Sequence, residues 1–316
     1  MTMINSVLGP MDTPKLGFTL MHEHIMFGFP SISDYPELLG CDPLKRGIES
    51  LKKAKEGGID TIVDATTSDL GRDVTMLAEV SRRSDVNIIA TTGWWLETPR
   101  LLSGIPIDKL AKAFIRDIQK GIRGTDIKAG MLKSASDISG LQPEEEPMLR
   151  AVARAHLETG VPLMIHSYAP GQVGLQQMAI LREEGVDLKR VKIDHCNDTT
   201  DIEYLLLLLE QGCYLGLDRY PGLLVSSLAR TKTMKALMDA GYVDRICPSH
   251  DWGVSIVEEV FSKAYGKSEG ERLRQNPYDY LYIKKVVFPQ LREMGASEEQ
   301  IGRLCITAPR NFFEGI

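Results

Sequence analysis

Two histidines separated by a single residue, His22 and His24, follow an apolar segment that begins at Gly17. The apolar character of this segment predicts a β-strand, in which residues i and i+2 point to the same side, roughly 6.5–7 Å apart. Both imidazoles could therefore bind one metal ion. The same pair could also be two polar side chains at a strand end, so its interpretation depends on what other segments bring to this place.

Residues with related chemistry stand at the ends of later predicted strands. Lys133 ends the fourth strand, His166 the fifth, His195 the sixth and Asp251 the eighth. In a parallel barrel the carboxyl ends of the strands meet on one rim, so we expect these side chains to lie close to the two histidines of the first strand.

The remaining two of the six histidines are not expected to be ligands. His250 directly precedes Asp251 and should point the opposite way along the strand. His156 falls within a predicted helix, where we expect it to be at the surface or half-buried.

Four imidazoles and a carboxylate suit Zn²⁺, Mn²⁺, Co²⁺ or Fe²⁺ better than Ca²⁺ or Mg²⁺, which prefer oxygen ligands. They are many ligands for a single ion, so two ions are expected. Each histidine alone could cap a strand by hydrogen bonding, but the set as a whole favours a metal site. The Lys133 ammonium has three donors and no lone pair, so by chemistry alone it is a substrate anchor or a salt-bridge partner.

The elements that must position these residues form a repeating series. Eight apolar segments alternate with helical ones, and none of them alternates strictly between apolar and polar residues, as expected of parallel strands that are covered on both faces. The predicted strands are residues 17–26, 61–65, 86–92, 129–133, 162–166, 191–195, 213–218 and 245–251. The predicted helices are residues 47–56, 73–83, 109–121, 144–159, 173–184, 200–210, 228–240, 278–294 and 297–304.

Eight strand–helix units predict an α/β fold, a (β/α)₈ TIM barrel formed by a single domain over residues 1–316. A doubly wound sheet is the alternative, but no GxGxxG follows the first strand. Residues 252–276 form a long stretch after the eighth strand, which we interpret as a lid carrying a short helix, with its charged side chains, Arg272 among them, facing solvent. The closing phenylalanines, Phe312 and Phe313, are expected to plug the underside of the barrel or a groove between helices.

Composition excludes several classes of partner. The formal net charge is −6, from 37 basic and 43 acidic residues, and there is no basic run, so we expect no nucleic-acid or membrane partner and a small-molecule substrate instead. No apolar window is long enough for a transmembrane helix, and no secretory signal opens the sequence. Five scattered cysteines without a CxxC motif indicate reduced thiols. These features together predict a cytoplasmic location.

Short sequence motifs surround the candidate ligands. They are His22-Glu-His24, Leu-Lys133-Ser-Ala-Ser-Asp, Ile-His166-Ser, Asp-His195-Cys-Asn-Asp, Gly-Leu-Asp218-Arg219-Tyr220 and Ser-His250-Asp251, together with Gly71-Arg72-Asp73 and Pro309-Arg-Asn-Phe-Phe. This combination, which runs from about Val7 to Phe313, resembles the phosphotriesterase family of the amidohydrolase superfamily. Within that family, the Asp-Arg-Tyr motif looks like that of the phosphotriesterase-like lactonases.

The resemblance implies a binuclear metal centre, with Zn as the first choice of metal and Mn, Co or Fe as alternatives. It assigns the buried ion to His22, His24 and Asp251, the outer ion to His166 and His195, and the bridge between them to carbamylated Lys133. Lys128 is a rival for the bridging role. Lys133 is preferred because it ends its strand ten residues before Pro143, which resembles the family spacing, whereas Lys128 lies at the strand's beginning.

The implied reaction is the attack of a metal-bridging hydroxide on a lactone carbonyl, with Asp251 orienting the hydroxide and taking its proton. Hydrolysis of organophosphate triesters would be a weak side activity. The expected substrate-binding residues are Trp95, Arg219, Tyr220 and Trp252. The loop over residues 221–227 and the predicted lid would set the preference for the leaving group or acyl chain.

Two softer expectations concern the residues behind the ligands. Asp218 could orient His195 or His166 through a ring N–H. Arg219 could anchor a polar substrate group or pair with Asp218.

Other functions are also compatible with these motifs. They are those of a carboxylesterase, a sugar-lactone hydrolase, a phosphotriesterase or a metal-binding barrel without catalysis. Trp95 weakens the lactonase interpretation because lactonases often carry tyrosine there, and the complete ligand set argues against a barrel without catalysis. A homodimer is an expectation from the resemblance alone.

Overall fold

A parallel sheet with helices between its strands organises the protein, as seen in a computed structural model. The structure describes residues 2–96, 98, 99, 102, 104–222, 225–257 and 268–316. Its strands are β1 (Met3–Ser6), β2 (Gly9–Asp12), β3 (Thr19–Phe27), β4 (Thr61–Asp64), β5 (Asn87–Gly93), β6 (Met131–Ala135), β7 (Leu163–His166), β8 (Val191–Ile193), β9 (Tyr214–Leu217), β10 (Ile246–Pro248) and β11 (Gly253–Ile256).

The helices lie between these strands and after them. They are α1 (Pro43–Glu56), α2 (Val74–Ser84), α3 (Ile107–Gln119), α4 (Glu146–Thr159), α5 (Val173–Glu183), α6 (Ile202–Glu210), α7 (Ser227–Asp239), α8 (Glu269–Gln275), α9 (Phe288–Glu293), α10 (Glu298–Gly302) and α11 (Ala308–Glu314). Side-chain caps fix several helix starts: Asp73 accepts from Thr75 N and Met76 N, and Asp201 accepts from Tyr204 N. No described helix combines the length and apolar character that a bilayer-spanning segment needs.

Nine strands pair in parallel in the order β10-β9-β8-β7-β6-β5-β4-β3-β11. The sheet curls into a TIM-like (β/α)₈ barrel, so the predicted fold is confirmed. The hairpin of β1 and β2 precedes the barrel and was not predicted. A single domain over the whole chain stays a prediction.

Strand β11 corrects the prediction for residues 252–276. This stretch opens with a strand, not a loop, because the chain turns sharply at Asp251 (φ 52°) and then pairs with the first barrel strand, Gly253 opposite His24. Helix α8 is the short helix that was predicted in this stretch. Residues 258–267 lie outside the described residues, and so do Leu223 and Leu224 of the predicted loop 221–227. The role of either segment in substrate choice stays a prediction.

Two prolines explain why the last predicted helices are interrupted. A π-helical turn, Ile283–Val287, leads into α9 with Pro289 at its start, and another, Arg303–Thr307, leads into α11 with Pro309 at its start. Proline lacks an N–H and its ring clashes with the preceding turn, and the wider π turn accommodates both effects. The helical path therefore continues to Glu314 instead of ending at residue 304.

The C-terminal phenylalanines fill the lower end of the barrel. Phe312 and Phe313 are 0% and 1% exposed, and they pack with inward-facing residues such as Met131, Met164 and Tyr214. The ring centroids of Phe312 and Tyr214 lie 5.1 Å apart. The first of the two predicted locations, the underside of the barrel, is therefore confirmed.

Candidate active site

Strand β3 points its two histidines into the barrel. His22 and His24 are 0% and 3% exposed, and their Nε2 atoms lie 3.3 and 3.2 Å from the same oxygen, Oδ1 of Asp251. On its other ring nitrogen, His24 contacts the hydroxyl of Thr66 at 2.8 Å. Three ligand atoms, two from β3 and one from the turn after β10, therefore converge on one point, which is the first of two groups able to hold a metal ion.

The turn after β10 holds Asp251 in a left-handed conformation (φ 52°), which aspartate tolerates better than most residues. Its N–H donates to the carbonyl of His22 at 3.1 Å, and Arg219 Nε donates to its Oδ2 at 3.0 Å. Burial would raise the pKa of the Asp251 carboxyl, but His22, His24 and Arg219 hold it well below its usual range. The residue therefore stays a carboxylate.

His166 and His195 form a neighbouring pair. His166 Nδ1 and His195 Nε2 are 2.8 Å apart, and His195 Nδ1 contacts Oδ1 of Asp218 at 2.9 Å. Because the Asp218 carboxylate accepts, His195 carries its proton on Nδ1 and turns the lone pair of Nε2 toward His166. Burial lowers the pKa of both histidines, most strongly that of His195, which favours the neutral imidazole that binds metals.

Lys133 lies beside the histidines of β3. Its Nζ is 3.3 Å from His22 Nε2 and donates to the carbonyl of Ala65 at 3.1 Å. The side chain is 1% exposed, and burial lowers the pKa of its ammonium group. Lys128 precedes β6 and does not line the cavity. The structure therefore brings Lys133, and not its rival, to the candidate ligands.

A buried charged layer supports the ligands from behind. Asp218 Oδ2 lies 3.2 Å from His22 Nδ1, and Asp194 Oδ2 lies 3.0 Å from the same nitrogen. Lys192 donates to Asp194 and lies 3.5 Å from Asp218, and all three charged residues are fully buried. Burial would raise the pKa of Asp218, but His195, His22 and Lys192 hold it well below its usual range.

This layer tests the expectation that Asp218 orients a histidine ligand, and it contains two residues that the sequence interpretation missed. Asp218 contacts His195 as expected, and its second partner is His22 instead of His166. Together with these two histidines Asp218 forms the second possible metal group, but it faces their Nδ1 atoms, so we interpret it as a support that orients the rings. Lys192 and Asp194 were missed, although charged residues in an otherwise apolar buried strand were a visible signal.

A cavity of about 510 Å³ opens above the ligands. The four expected substrate-binding residues, Trp95, Arg219, Tyr220 and Trp252, all line it. The wall is completed by residues that include Phe27, Leu70, Ile138, Tyr168, Ile256 and Arg272. The Trp95 ring lies 6.1 Å from that of Phe27 and 6.0 Å from that of His166, so it lies beside one of the candidate ligands.

Three side chains, two of them in this wall, differ from the predictions or were missed by them. Arg219 donates to Asp198 at 2.6 Å and to Asp251 at 3.0 Å, and neither partner was predicted. Arg272 is 5% exposed and stacks 3.9 Å over the Trp252 ring, so the prediction that it faces solvent was wrong. His156 is also buried, at 6% exposure, because its Nδ1 donates to the carbonyl of Val161 at 2.8 Å.

Sequence comparisons decide the family. The model of the phosphotriesterase family matches residues 2–313. The chain belongs to the phosphotriesterase family. Members of this family are metal-dependent hydrolases of small molecules, and the histidine and aspartate groups of this chain could bind metal. The resemblance predicted from the motifs is confirmed.

Relatives with three different names align over nearly the whole chain. The phosphotriesterase homology protein of Mycobacterium tuberculosis is 38% identical over 98% of this chain and 97% of its own. The aryldialkylphosphatase of Saccharolobus solfataricus is 34% identical over 96% of each chain. The N-acetyltaurine hydrolase of Rattus norvegicus is 27% identical over 98% of this chain and 97% of its own. The names of these relatives refer to the hydrolysis of different kinds of bond, so family membership alone does not identify the substrate of this chain.

Proposed function

We propose that this phosphotriesterase-family protein is a binuclear metal-dependent lactonase. The observation that carries the proposal is the convergence of two ligand groups, one around Asp251 Oδ1 and the other between His166 and His195, with the Lys133 nitrogen close to the first. Imidazole nitrogens together with a carboxylate suit Zn²⁺ best, and Mn, Co and Fe are the alternatives.

In this proposal His22, His24 and Asp251 would hold one ion, and His166 and His195 would hold the other. Lys133 would serve both as a carbamate, which forms when its neutral amine adds to carbon dioxide and loses a proton. Burial supports this step because it lowers the pKa of the ammonium group and so favours the neutral amine. The carbamate is a carboxylate whose oxygens can bind metal, whereas the lysine ammonium has no lone pair to do so.

When bound, the two ions would supply Lewis-acid activation of a water molecule and of the substrate carbonyl. Asp251 is placed to accept the proton that the attacking water loses, because its Oδ1 lies beside both β3 imidazoles. The water oxygen bonds to the carbonyl carbon, the ring C–O bond breaks and the released ring oxygen takes up a proton, so the net products are a hydroxycarboxylate and one proton. Arg219 fixes the other carboxylate oxygen and thereby aims Oδ1 at the ligands.

The preference for lactones rests on the motif Asp218-Arg219-Tyr220 and on the wall of the cavity. Arg219 and Tyr220 line one part of it, while aromatic and aliphatic side chains such as Trp95 and Ile138 line another. An ester ring carrying an apolar substituent fits such a mixed lining. Residues 252–276 and 221–227 would tune the preference for the substituent.

Phosphotriester hydrolysis is the second candidate, and a specific observation favours it. The relative named aryldialkylphosphatase is 34% identical over 96% of the chain. Carboxylesters and sugar lactones remain further options, and a metal-binding barrel without catalysis is disfavoured by the assembled ligand set. A cytoplasmic location and a homodimer stay predictions.

The test is proton release by metal-loaded protein, followed with a pH indicator across γ- and δ-lactones, including N-acyl-homoserine lactones, with paraoxon and aryl esters in parallel. We expect turnover of lactones that a chelator abolishes and added Zn²⁺ restores. Chelator-sensitive turnover confined to paraoxon or to aryl esters would replace the lactone assignment. Failure to bind two ions would overturn the binuclear centre itself.

A further inference from the structure

Glu23 separates the two β3 histidines and points in the opposite direction. Its carboxylate is fully buried and lies against the turn that carries Asp251. Oε1 accepts from Ser249 Oγ at 2.8 Å, from His250 N at 3.0 Å and from His250 Nδ1 at 2.6 Å, and Oε2 accepts from Trp252 N at 3.1 Å. One carboxylate thus accepts hydrogen bonds from three residues that flank Asp251, namely Ser249 and His250 before it and Trp252 after it.

The bonds to Glu23 enclose Asp251 on both sides. The N–H groups of His250 and Trp252 bind Glu23, while the N–H of Asp251 binds the carbonyl of His22 at 3.1 Å. Three consecutive N–H groups are therefore fixed to the strand that carries the histidine ligands. A left-handed conformation in a residue other than glycine persists when its surroundings over-determine it, and these bonds do so for Asp251.

His250 extends the arrangement to the last helices. Because its Nδ1 donates to Glu23 and its Nε2 accepts from Ile283 N at 3.2 Å, the ring is the neutral Nδ1 tautomer. Ile283 begins the π-helical turn before α9, and Tyr280 donates to the carbonyl of His24 at 2.8 Å. Glu23 therefore joins β3, the Asp251 turn and the final helices.

We propose that Glu23 is a positioning residue for Asp251. It acts through the backbone on either side of Asp251 and sets the distance from Asp251 Oδ1 to the imidazoles of His22 and His24. This proposal rests on the proposed function, because it assumes that Asp251 would help to hold the buried ion. A purely structural Glu23, which merely fastens β11 to β3, would affect stability without affecting one ion more than the other.

The first test variant is Glu23→Gln, which keeps the shape of the side chain but turns an amide N–H₂ toward at least one N–H of the turn. Loss of a residue that orients ligands typically costs 10- to 100-fold in metal affinity. We expect that loss, by chelator competition, for one of the two ions, and little change for the other. We also expect faster hydrogen exchange at residues 249–253 in the metal-free protein. With any substrate that the wild-type protein hydrolyses, kcat of Glu23→Gln should fall at least 10-fold while KM stays within about threefold of the wild-type value.

The matched control is Asp117→Asn. Asp117 is also a buried carboxylate, but its described partners are Arg72, Thr92 and Arg116, and it does not line the cavity. We expect it to lower stability and leave the affinities for both ions unchanged. An equal loss of metal affinity in both variants, or wild-type affinity for both ions in Glu23→Gln, would overturn the proposal.

A milder variant covers the case in which Glu23→Gln does not fold. Ser249→Ala removes the hydrogen bond that Ser249 Oγ donates to Glu23 and the one that it accepts from His22 N at 3.1 Å, and it should weaken binding of the same ion by on the order of 2- to 10-fold. Unchanged metal binding in a folded Ser249→Ala protein would then count against Glu23. The proposed function fails separately: wild-type protein that binds two ions but hydrolyses no ester overturns the lactonase, while the affinity and exchange comparisons, which need no turnover, still decide the role of Glu23.

Discussion

Replacing Lys192 with methionine removes a cation that lies fully buried between Asp194 and Asp218. The substitution keeps a long unbranched side chain and leaves two buried carboxylates without the cation that both approach. The expected result is a large loss in the free energy of unfolding, although Lys192 lies behind the histidine ligands and does not line the cavity.

The magnitude follows from the distances. Lys192 Nζ lies 3.5 Å from Asp218 Oδ2, and unit charges at this separation attract by about 5 kcal/mol at an effective dielectric constant of 20. Breaking a buried pair from one side typically costs about 3–5 kcal/mol. Protonation of a carboxylate could relieve the stranded charge, and for an ordinary aspartate at pH 7 it costs about 4 kcal/mol. The expected loss is therefore about 3–5 kcal/mol.

The double variant Lys192→Met with Asp194→Asn removes both charges of the closest pair. It should cost about 1–2 kcal/mol, less than Lys192→Met alone, because Asp218, which His195 and His22 still contact, is then the one carboxylate of the two that remains beside the methionine. Lys235→Met is the matched control, since Lys235 bonds Asp239 at 2.6 Å on the surface of a helix and should contribute about 0.5 kcal/mol or less.

The assay is equilibrium urea unfolding of all variants in the presence of a chelator, so that metal binding does not contribute. A loss below about 1 kcal/mol for Lys192→Met would refute the importance of the buried charge for stability. A double variant that loses as much as the sum of the two single variants would refute it equally, because the two residues would then be uncoupled.

The other predictions are independent of this layer. Asp251→Asn should lower kcat by orders of magnitude, and turnover at the wild-type rate would contradict its role in proton transfer. Lys133→Ala should lower metal occupancy, measured by elemental analysis, without rescue by bicarbonate; full occupancy would exclude the bridge. Burial raises the pKa of Asp69 to about 6, so in the metal-free protein the folded state keeps a proton between pH 4 and 6 that the unfolded state has lost. Stability should therefore fall by about 3 kcal/mol as pH rises through this range, and Asp69→Asn should abolish that slope in urea unfolding. Phe313→Ala should cost about 3–5 kcal/mol in the same assay and leave metal stoichiometry unchanged.

The barrel and its candidate ligands could be predicted because both depend on local patterns. Buried parallel strands are continuous apolar runs, and their ends are where polar residues appear, so residues such as His22, His166 and Asp251 were recognisable by position. The structure brings them together because strand register places those ends on one rim. Their role as ligands stays a prediction until metal binding is measured.

The features that were missed depend on contacts distant in sequence. Strand β11 exists because β3 offers an unpaired edge, which nothing within residues 253–256 reveals. Arg272 looks like a solvent-exposed helix residue until Trp252 is placed beneath it. The role of Glu23 likewise follows from where the chain returns more than 220 residues later.

The aromatic plug formed by Phe312 and Phe313 has a kinetic consequence. It fills the lower end of the barrel, so in the described part of the chain the cavity communicates with solvent at the rim that carries the candidate ligands. Substrate and product then share one passage and exclude each other from it. Progress curves should bend as product accumulates, with competitive inhibition by the product, which is a hydroxy acid if the proposed lactonase function holds. Bulky substituents should be tolerated best where they project outward through the mouth.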